Sequence, residues 1–77
     1  NHMEKLLVAK VSNEIDVLMR VSGIIRRKGF SMKSIHMEQA TENQANLKIM
    51  LSYQDKSVDQ LMNQIKKYND VYEVSIV

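Results

Sequence analysis

Few side chains in this sequence could make or break bonds, and their spacing fits none of the common reactions. With no cysteine, thiolate metal ligands and thiol nucleophiles are excluded. His2 lies in an Asn-His-Met start typical of a cloning remnant. His36 lies in a predicted strand, where Ser34 precedes it at ordinary strand spacing rather than as an activated nucleophile. The nine acidic residues are scattered, and no phosphate-binding loop or nucleophile motif is present. The sequence therefore predicts a protein that is not an enzyme and holds no metal or cofactor of its own.

The length and composition indicate one small domain. The chain has 77 residues, 44% hydrophobic and 26% charged, and a chain of this size has room for one modest core. Its net charge of +2 is more balanced than that of a nucleic-acid-binding protein, which usually carries a basic excess on one face. With no proline and only two glycines, linkers are not expected. We expect a start remnant at residues 1–3 and a single domain at residues 4–77.

Nothing in the sequence predicts membrane insertion or secretion. Apolar runs are four residues or shorter, whereas a membrane-spanning helix needs about 20 apolar residues. No basic stretch followed by an apolar segment opens the chain, as a secretion signal would. The cytoplasm is therefore the expected location.

The first half of the sequence predicts a strand, a helix and a second strand. Residues 5–12 alternate as a strand, with Leu7, Ala9 and Val11 on one face and Leu6 and Val8 on the other. A polar turn containing Asn13, Glu14 and Asp16 is suited to capping a helix. The next apolar residues recur at helical spacing: Val17, Leu18, Val21, Ile24 and Ile25.

The end of this helix and the strand after it have their own signals. Basic residues 26–28 suit the end of a helix, and Gly29 suits the left-handed position directly after it. Residues 30–39 read as a strand whose apolar residues change parity, which predicts a bulge near Lys33 and Ser34.

The second half predicts a strand, a helix and a strand. Residues 46–53 alternate strictly and would form a hairpin with the preceding strand. Ser57 and Gln60 match a capping box, and the apolar residues behind them repeat at helical spacing up to Tyr68. Residues 71–77 close the chain as a β-branched, alternating segment.

The predicted order β-α-β-β-α-β is that of the α+β, ferredoxin-like sandwich, a four-stranded antiparallel sheet with two helices on one face. Its open face would expose Leu6, Val8 and Met50 to water. We therefore expect this face, or an edge strand, to be covered by another chain.

The sequence between Val11 and Ile35 resembles the ACT domain of the acetolactate synthase small regulatory subunit. That family's pattern combines Asn-Glu after the first strand, Leu-x-Arg-Val in the helix, and Arg-Gly with an aromatic residue after it. The matching positions are Asn13, Glu14, Leu18, Arg20, Val21, Gly29, Phe30, Ser34 and Ile35. The later helix (Leu61-Met62-x-x-Ile65-x-Lys67) and the ending (Asp70-Val71-x-x-Val74) are similar too, and the resemblance covers essentially the whole chain.

The resemblance implies a non-catalytic subunit of branched-chain amino acid biosynthesis, in the short form that has little beyond the ACT domain. Such subunits form homodimers and stimulate a separate catalytic large subunit that uses thiamine diphosphate. Many of them bind valine, a branched-chain amino acid, where two ACT domains meet.

The resemblance also implies an effector site, but this sequence departs from the family there. The effector lies over the turn after the first strand, at Asn13, Glu14, Ile15 and Asp16, and contacts the start of the second strand, at Ser31. Asp16 replaces the family's glycine, and Ser31 replaces its asparagine. A carboxylate at Asp16 would repel the ligand's carboxylate and could itself cap the helix. We therefore expect weak or absent valine feedback.

Three other functions remain open at this stage. A free-standing ACT module could bind a different small molecule. A nucleic-acid-binding module of the same fold is disfavoured, because the segment from Arg26 to Phe30 begins like an RNA-binding signature but lacks its stacking aromatic residues. An acylphosphatase-like enzyme is disfavoured because the acidic turn at residues 12–16 would repel phosphate.

Overall fold

The computed structural model describes residues 2–77 and contains a single four-stranded sheet with two helices. The elements are β1 (His2–Ser12), α1 (Ile15–Arg27), β2 (Ser31–Gln39), β3 (Gln44–Gln54), α2 (Val58–Ile65) and β4 (Val71–Ile76). The strand order is β2-β3-β1-β4, and each neighbouring pair is antiparallel. The predicted ferredoxin-like fold and its element order are confirmed.

The core lies between the sheet and the two helices. Leu7, Ala9 and Val11 of β1 are buried, as their alternation predicts, and β3 contributes a matching buried row. The helices close this layer with buried residues at helical spacing: Val17, Val21, Ile24 and Ile25 of α1, and Leu61 and Ile65 of α2. Burial of each large aliphatic side chain stabilises the fold by about 1.5–3 kcal/mol.

The helix ends agree with most of the sequence signals. Gly29 takes a φ of +87° directly after α1, the left-handed conformation that glycine adopts without a steric penalty. The Ser57 hydroxyl accepts a hydrogen bond from the Gln60 backbone N–H at 3.3 Å, which caps α2. This helix ends at Ile65, earlier than the apolar spacing predicts, because Lys67 and Tyr68 donate to carbonyls only three residues back and so form a tighter turn.

The predicted bulge in β2 is present. The pairing of β2 with β3 shifts between Met32 and Ser34. After the shift Ile35 lies opposite Ile49, and Met37 lies opposite Leu47, both buried core residues. The bulge thus directs the side chains of Ile35 and Met37 to the helix-covered side of the sheet.

The open face of the sheet is less exposed than the sequence suggests. Leu6 lies directly opposite Met50, and these two residues and Val8 are half-buried by their neighbours in the sheet. The exposed large apolar side chains lie elsewhere: Met3, Ile15, Met19, Ile35, Tyr72 and Val77.

Strand β1 begins earlier in the chain than the alternation of residues 5–12 predicts. Strand β1 begins at His2 and not at residue 5, so two of the three predicted remnant residues pair with β3; Asn1 lies outside the described residues. Between residues 2 and 77, neither helix is long and apolar enough to cross a membrane.

Candidate effector site

The turn between β1 and α1 is fixed by hydrogen bonds to the neighbouring turn between β2 and β3. The Asn13 backbone N–H donates to the Asn43 carbonyl at 3.1 Å, and the Asn13 side-chain amide donates to the Glu42 carbonyl at 3.4 Å. The Glu14 N–H donates to the Ser12 carbonyl at 2.8 Å. We call Asn13–Asp16 the first-turn half of the predicted effector site.

The start of α1 has no side-chain cap among the described residues. Glu14 occupies the N-cap position with extended backbone angles, but its side chain accepts no hydrogen bond from the helix. Asp16 lies inside the first turn of α1, not in the turn before it, and the described hydrogen bonds include none to its carboxylate. The capping that the sequence suggests for Asp16 is therefore not formed.

The electrostatics of the first-turn half disfavour a second anion. Glu14 and Asp16 are both exposed at the helix start, where negative charge suits the helix dipole. An approaching carboxylate at ~4 Å from either one would be repelled by ~1 kcal/mol in water, and by more where water is excluded. The carboxylates of Glu14 and Asp16 thus already supply the negative charge that the N-terminus of α1 favours, and a ligand carboxylate would be repelled by them.

The remaining predicted residue, Ser31, lies at the other end of the sheet. Ser12, just before the first-turn half, pairs with Gln44 of β3, whereas Ser31 pairs with Ser52. These two positions on β3 are eight residues apart, which is about 26 Å at about 3.3 Å per residue. One chain therefore does not bring Ser31 together with Asn13–Asp16. We call the surroundings of Ser31 the second-strand half.

A group of contacts that the sequence did not reveal links the first-turn half and α1 to the segment between α2 and β4. The Ser12 N–H donates to the Asp70 carbonyl at 2.9 Å, and the Asp70 carboxylate forms an ion pair with Arg20 of α1. The Arg20 guanidinium lies over the Tyr68 ring, 5.9 Å from its centre, a cation–π contact. Arg20 thus joins α1 to the segment between α2 and β4; the Leu-x-Arg-Val spacing marked it as a motif residue without naming its partners.

The second-strand half opens into a cavity of about 440 Å³. Ser31, Lys33, Ser52 and Lys56 are among its lining residues. The Ser52 hydroxyl is hydrogen-bonded to Nε2 of His2 at 3.0 Å. Across residues 2–77 no group of three or more His, Cys, Asp and Glu residues is placed to hold a metal ion.

Known proteins share the sequence pattern of this chain along most of its length. The family model of the ACT domain matches residues 13–74. A probable acetolactate synthase small subunit of Archaeoglobus fulgidus is 30% identical over 95% of this chain and 46% of its own length. This chain thus spans about half the length of that relative.

Solved structures give the same result. The acetolactate synthase small subunit of Thermotoga maritima matches with a TM-score of 0.79 and 31% identity, over 96% of this chain and 47% of that one. The ACT domain from GTP pyrophosphokinase of Chlorobium tepidum matches over the whole of both chains, with a TM-score of 0.79 and 15% identity. The second likeness is one of fold alone.

Proposed function

This chain belongs to the ACT domain family, and on that premise we propose that it is a non-catalytic regulatory subunit of acetolactate synthase. In this role it forms a homodimer, binds the catalytic large subunit and raises its activity, with weak or absent feedback by valine. The observation that carries the proposal is the match of nearly the whole chain to two acetolactate synthase small subunits at 30% and 31% identity.

The two separated halves of the effector site support a homodimer. Strand β2 is one of the two edges of the sheet, and an unpaired edge can bind the same strand of a second copy. If two β2 strands pair antiparallel about a two-fold axis, the start of one lies beside the end of the other. The end of β2, at Gln39, leads into the turn that holds Asn13. Such a dimer places Ser31 of one copy near the first-turn half of the other.

Three exposed apolar side chains lie on or beside the β2 edge, against Tyr72 and Val77 at the β4 edge. Helix α1 packs beside β2, and α2 packs beside β4. Ile35 of β2 is 46% exposed, and Ile15 and Met19, one turn apart on α1, are 64% and 67% exposed. The exposed residues of α2 (Asp59, Gln60 and Asn63) are all polar. Strand β4 has only six residues, whereas β2 has nine. Strand β2 can therefore form more backbone hydrogen bonds with a second copy.

The mechanism that we propose is binding without bond-making. A dimer that binds the active state of the catalytic subunit more tightly than the inactive state shifts the population toward activity. This needs a rigid surface, and the hydrogen bonds and ion pair around Asn13, Arg20 and Asp70 hold both helices to the sheet. Thiamine diphosphate would belong to the catalytic partner.

Weak feedback is supported by the charges of the first-turn half. A bound amino acid would bring its carboxylate to the start of α1, beside Glu14 and Asp16. A repulsion of ~1.4 kcal/mol weakens binding tenfold, so two carboxylates that each repel the ligand by ~1 kcal/mol in water weaken its binding by about thirtyfold, and by more where water is excluded.

A binding experiment with the catalytic large subunit of the same organism tests this proposal. The two proteins are mixed and separated by size-exclusion chromatography, and we expect them to elute together as one complex. Separate elution over a wide concentration range would contradict the proposal. It would favour a free-standing ACT module, for which an amino-acid screen by thermal shift would find the ligand through its mass-action stabilisation.

A further inference from the structure

A second cavity, of about 250 Å³, lies between the end of α1 and the start of α2. Its floor is formed by Phe30 and Leu61, which are buried residues of the core between the sheet and the helices. The cavity therefore opens on the helix-covered side of the sheet. Its rim consists of exposed polar side chains: Lys28, Asp55, Lys56 and Gln60. We call this cavity the basic cleft.

Positive charge predominates in the basic cleft, and two separate elements supply it. Lys28 is the C-cap residue of α1, whereas Lys56 belongs to the loop before α2. Asp55 is the one carboxylate among the lining residues, and the ion pairs of residues 2–77 include neither it nor the two lysines. The helix dipole explains a cation at the end of α1. It does not explain Lys56, which lies outside that helix.

The backbone places Lys56 against the end of α1. A Cβ on Gly29 would lie 2.6 Å from Cε and 2.8 Å from Nζ of Lys56, so the lysine lies across the bare glycine that follows Lys28. Asp55, directly before it, takes a left-handed φ of +53°, which turns the chain at this point. Two ammonium groups at one cavity repel each other, and an acidic group between them relieves that repulsion.

Two further cations adjoin the basic cleft. Arg26 and Arg27 directly precede Lys28 and are exposed, and the ion pairs of residues 2–77 include neither of them. The start of α2 is already capped by the Ser57 hydroxyl, which accepts from the Gln60 N–H at 3.3 Å. The charge of this region therefore comes from side chains and not from the start of α2.

Charges on the open face of the sheet have partners within the chain. Lys10 lies on that face, two residues after Val8, and its Nζ is 3.3 Å from Oε2 of Glu73 on the neighbouring strand. Nε2 of His36 and Oε1 of Glu38, both on β2, are 3.8 Å apart. The basic cleft instead gathers cations from two elements without such carboxylates. It is thus the surface that fits a negatively charged partner.

The basic cleft stays accessible in the proposed homodimer. Helix α1 packs beside β2 and α2 packs beside β4, the two edges of the sheet, so the space between the helices lies over the middle strands. Pairing of two β2 edges about a two-fold axis extends the sheet and leaves both helix layers on the same side. Both clefts of the dimer then face the same direction.

We propose that the basic cleft is where this chain binds the catalytic large subunit, with an acidic side chain of that subunit inserted between Lys28 and Lys56. The inference rests on the regulatory function proposed above and adds the surface that performs it. The apolar floor of Phe30 and Leu61 excludes water beneath the inserted carboxylate, which strengthens the attraction. The unpaired cations around the cleft also speed association with an acidic partner.

The double variant Lys28→Glu with Lys56→Glu tests the inference. Both residues are exposed, so the fold and the dimer should persist, which circular dichroism and sedimentation equilibrium check. The dissociation constant for the catalytic large subunit, measured by calorimetry, should rise by about tenfold or more. If the double variant does not fold, the single variants Lys28→Gln and Lys56→Gln replace it, each with a rise of about threefold.

A matched control variant carries Lys66→Glu and Lys67→Glu. These exposed residues follow α2 at its other end, so the variant makes the same change of charge away from the basic cleft and should bind like the original chain. Added salt should weaken the binding of the original chain more than that of the cleft variant, because salt screens exposed charges.

The possible outcomes separate this inference from the function on which it rests. If the original chain binds the catalytic subunit and the cleft variant binds equally tightly, the inference is wrong and the regulatory function stands. If the original chain does not bind that subunit, both are wrong. Inorganic phosphate bound by the isolated chain more tightly than ~0.1 mM, and lost in the cleft variant, would overturn the inference in favour of a small free anion.

Discussion

Within one chain, Ser31 lies at the opposite end of the sheet from Asp16, separated by most of the length of β3. The resemblance to a known family assigns both residues to one effector site, and a single copy cannot form that site. In the proposed homodimer, pairing along the β2 edge would bring the two residues together.

Ile35→Lys is expected to disrupt the homodimer. Ile35 is the exposed apolar residue at the middle of β2. A lysine there opposes the pairing of this edge strand with a second copy, because its charge stays hydrated. The dimer dissociation constant should rise by at least about tenfold, or 1.4 kcal/mol, in sedimentation equilibrium.

Tyr72→Lys provides the matched control for this prediction. Tyr72 is an exposed apolar residue on β4, the other edge of the sheet. Its replacement should leave the dimer intact. If Tyr72→Lys separates the copies and Ile35→Lys does not, the dimer forms along β4 and the two-half effector site is wrong.

Asp16→Gly is expected to improve the binding of branched-chain amino acids. Removing one carboxylate relieves a repulsion of ~1 kcal/mol or more, which corresponds to a dissociation constant about fivefold lower in calorimetry. Asp59→Gly is a matched control, since Asp59 lies in the first turn of α2 and suffers the same loss of helix propensity. The original chain binding valine, leucine or isoleucine tighter than ~0.1 mM would refute weak feedback.

The two glycines are expected to respond to alanine with opposite signs. Gly29→Ala forces a side chain into the left-handed region and should cost about 1–2 kcal/mol of unfolding free energy. Gly23 lies inside α1, where alanine is favoured over glycine by up to about 1 kcal/mol; the new Cβ would meet only the flexible end of Arg27 at 3.2 Å. Urea denaturation measures both changes. Equal effects of the two substitutions would mean that the turn after α1 is not as described.

The ion pair between Arg20 and Asp70 is expected to couple α1 to the segment between α2 and β4. A double-mutant cycle with Arg20→Met and Asp70→Asn should give a coupling energy of about 0.5–1 kcal/mol, because the pair is only partly exposed. The more exposed pair Lys10–Glu73, at 3.3 Å, should give a smaller value in the same measurement. A coupling energy near zero for Arg20 and Asp70 would mean that this ion pair does not help to hold α1 against that segment.

The sequence predicts those parts of the structure that depend on short-range patterns. Alternation along β1 places Leu7 in the core, helical spacing places Val21 there, and the parity change in β2 locates the bulge beside Lys33. Each of these results from the repeat of a strand or helix. The left-handed conformation of Gly29 is predicted for the same reason, because it depends only on the backbone at the end of the helix.

Contacts between distant residues are not visible in the sequence. The pairing of Arg20 with Asp70 and Tyr68 depends on how α1 and α2 pack, and no short repeat encodes it. The spacing alone also does not show that Ser31 lies far from Asp16, nor that Lys56 joins Lys33 at one cavity. The family resemblance groups residues that contact a common ligand. The strand pairing decides which of those residues lie close together within one copy of the chain.

The most direct test of the regulatory role is the turnover rate of the catalytic large subunit as the chain is titrated into it. We expect the rate to rise several-fold and to reach a plateau at a defined stoichiometry, with no more than slight inhibition by valine at the plateau. The Ile35→Lys variant should activate only at higher concentration. A rate that stays unchanged at saturating concentrations of the original chain would contradict the account.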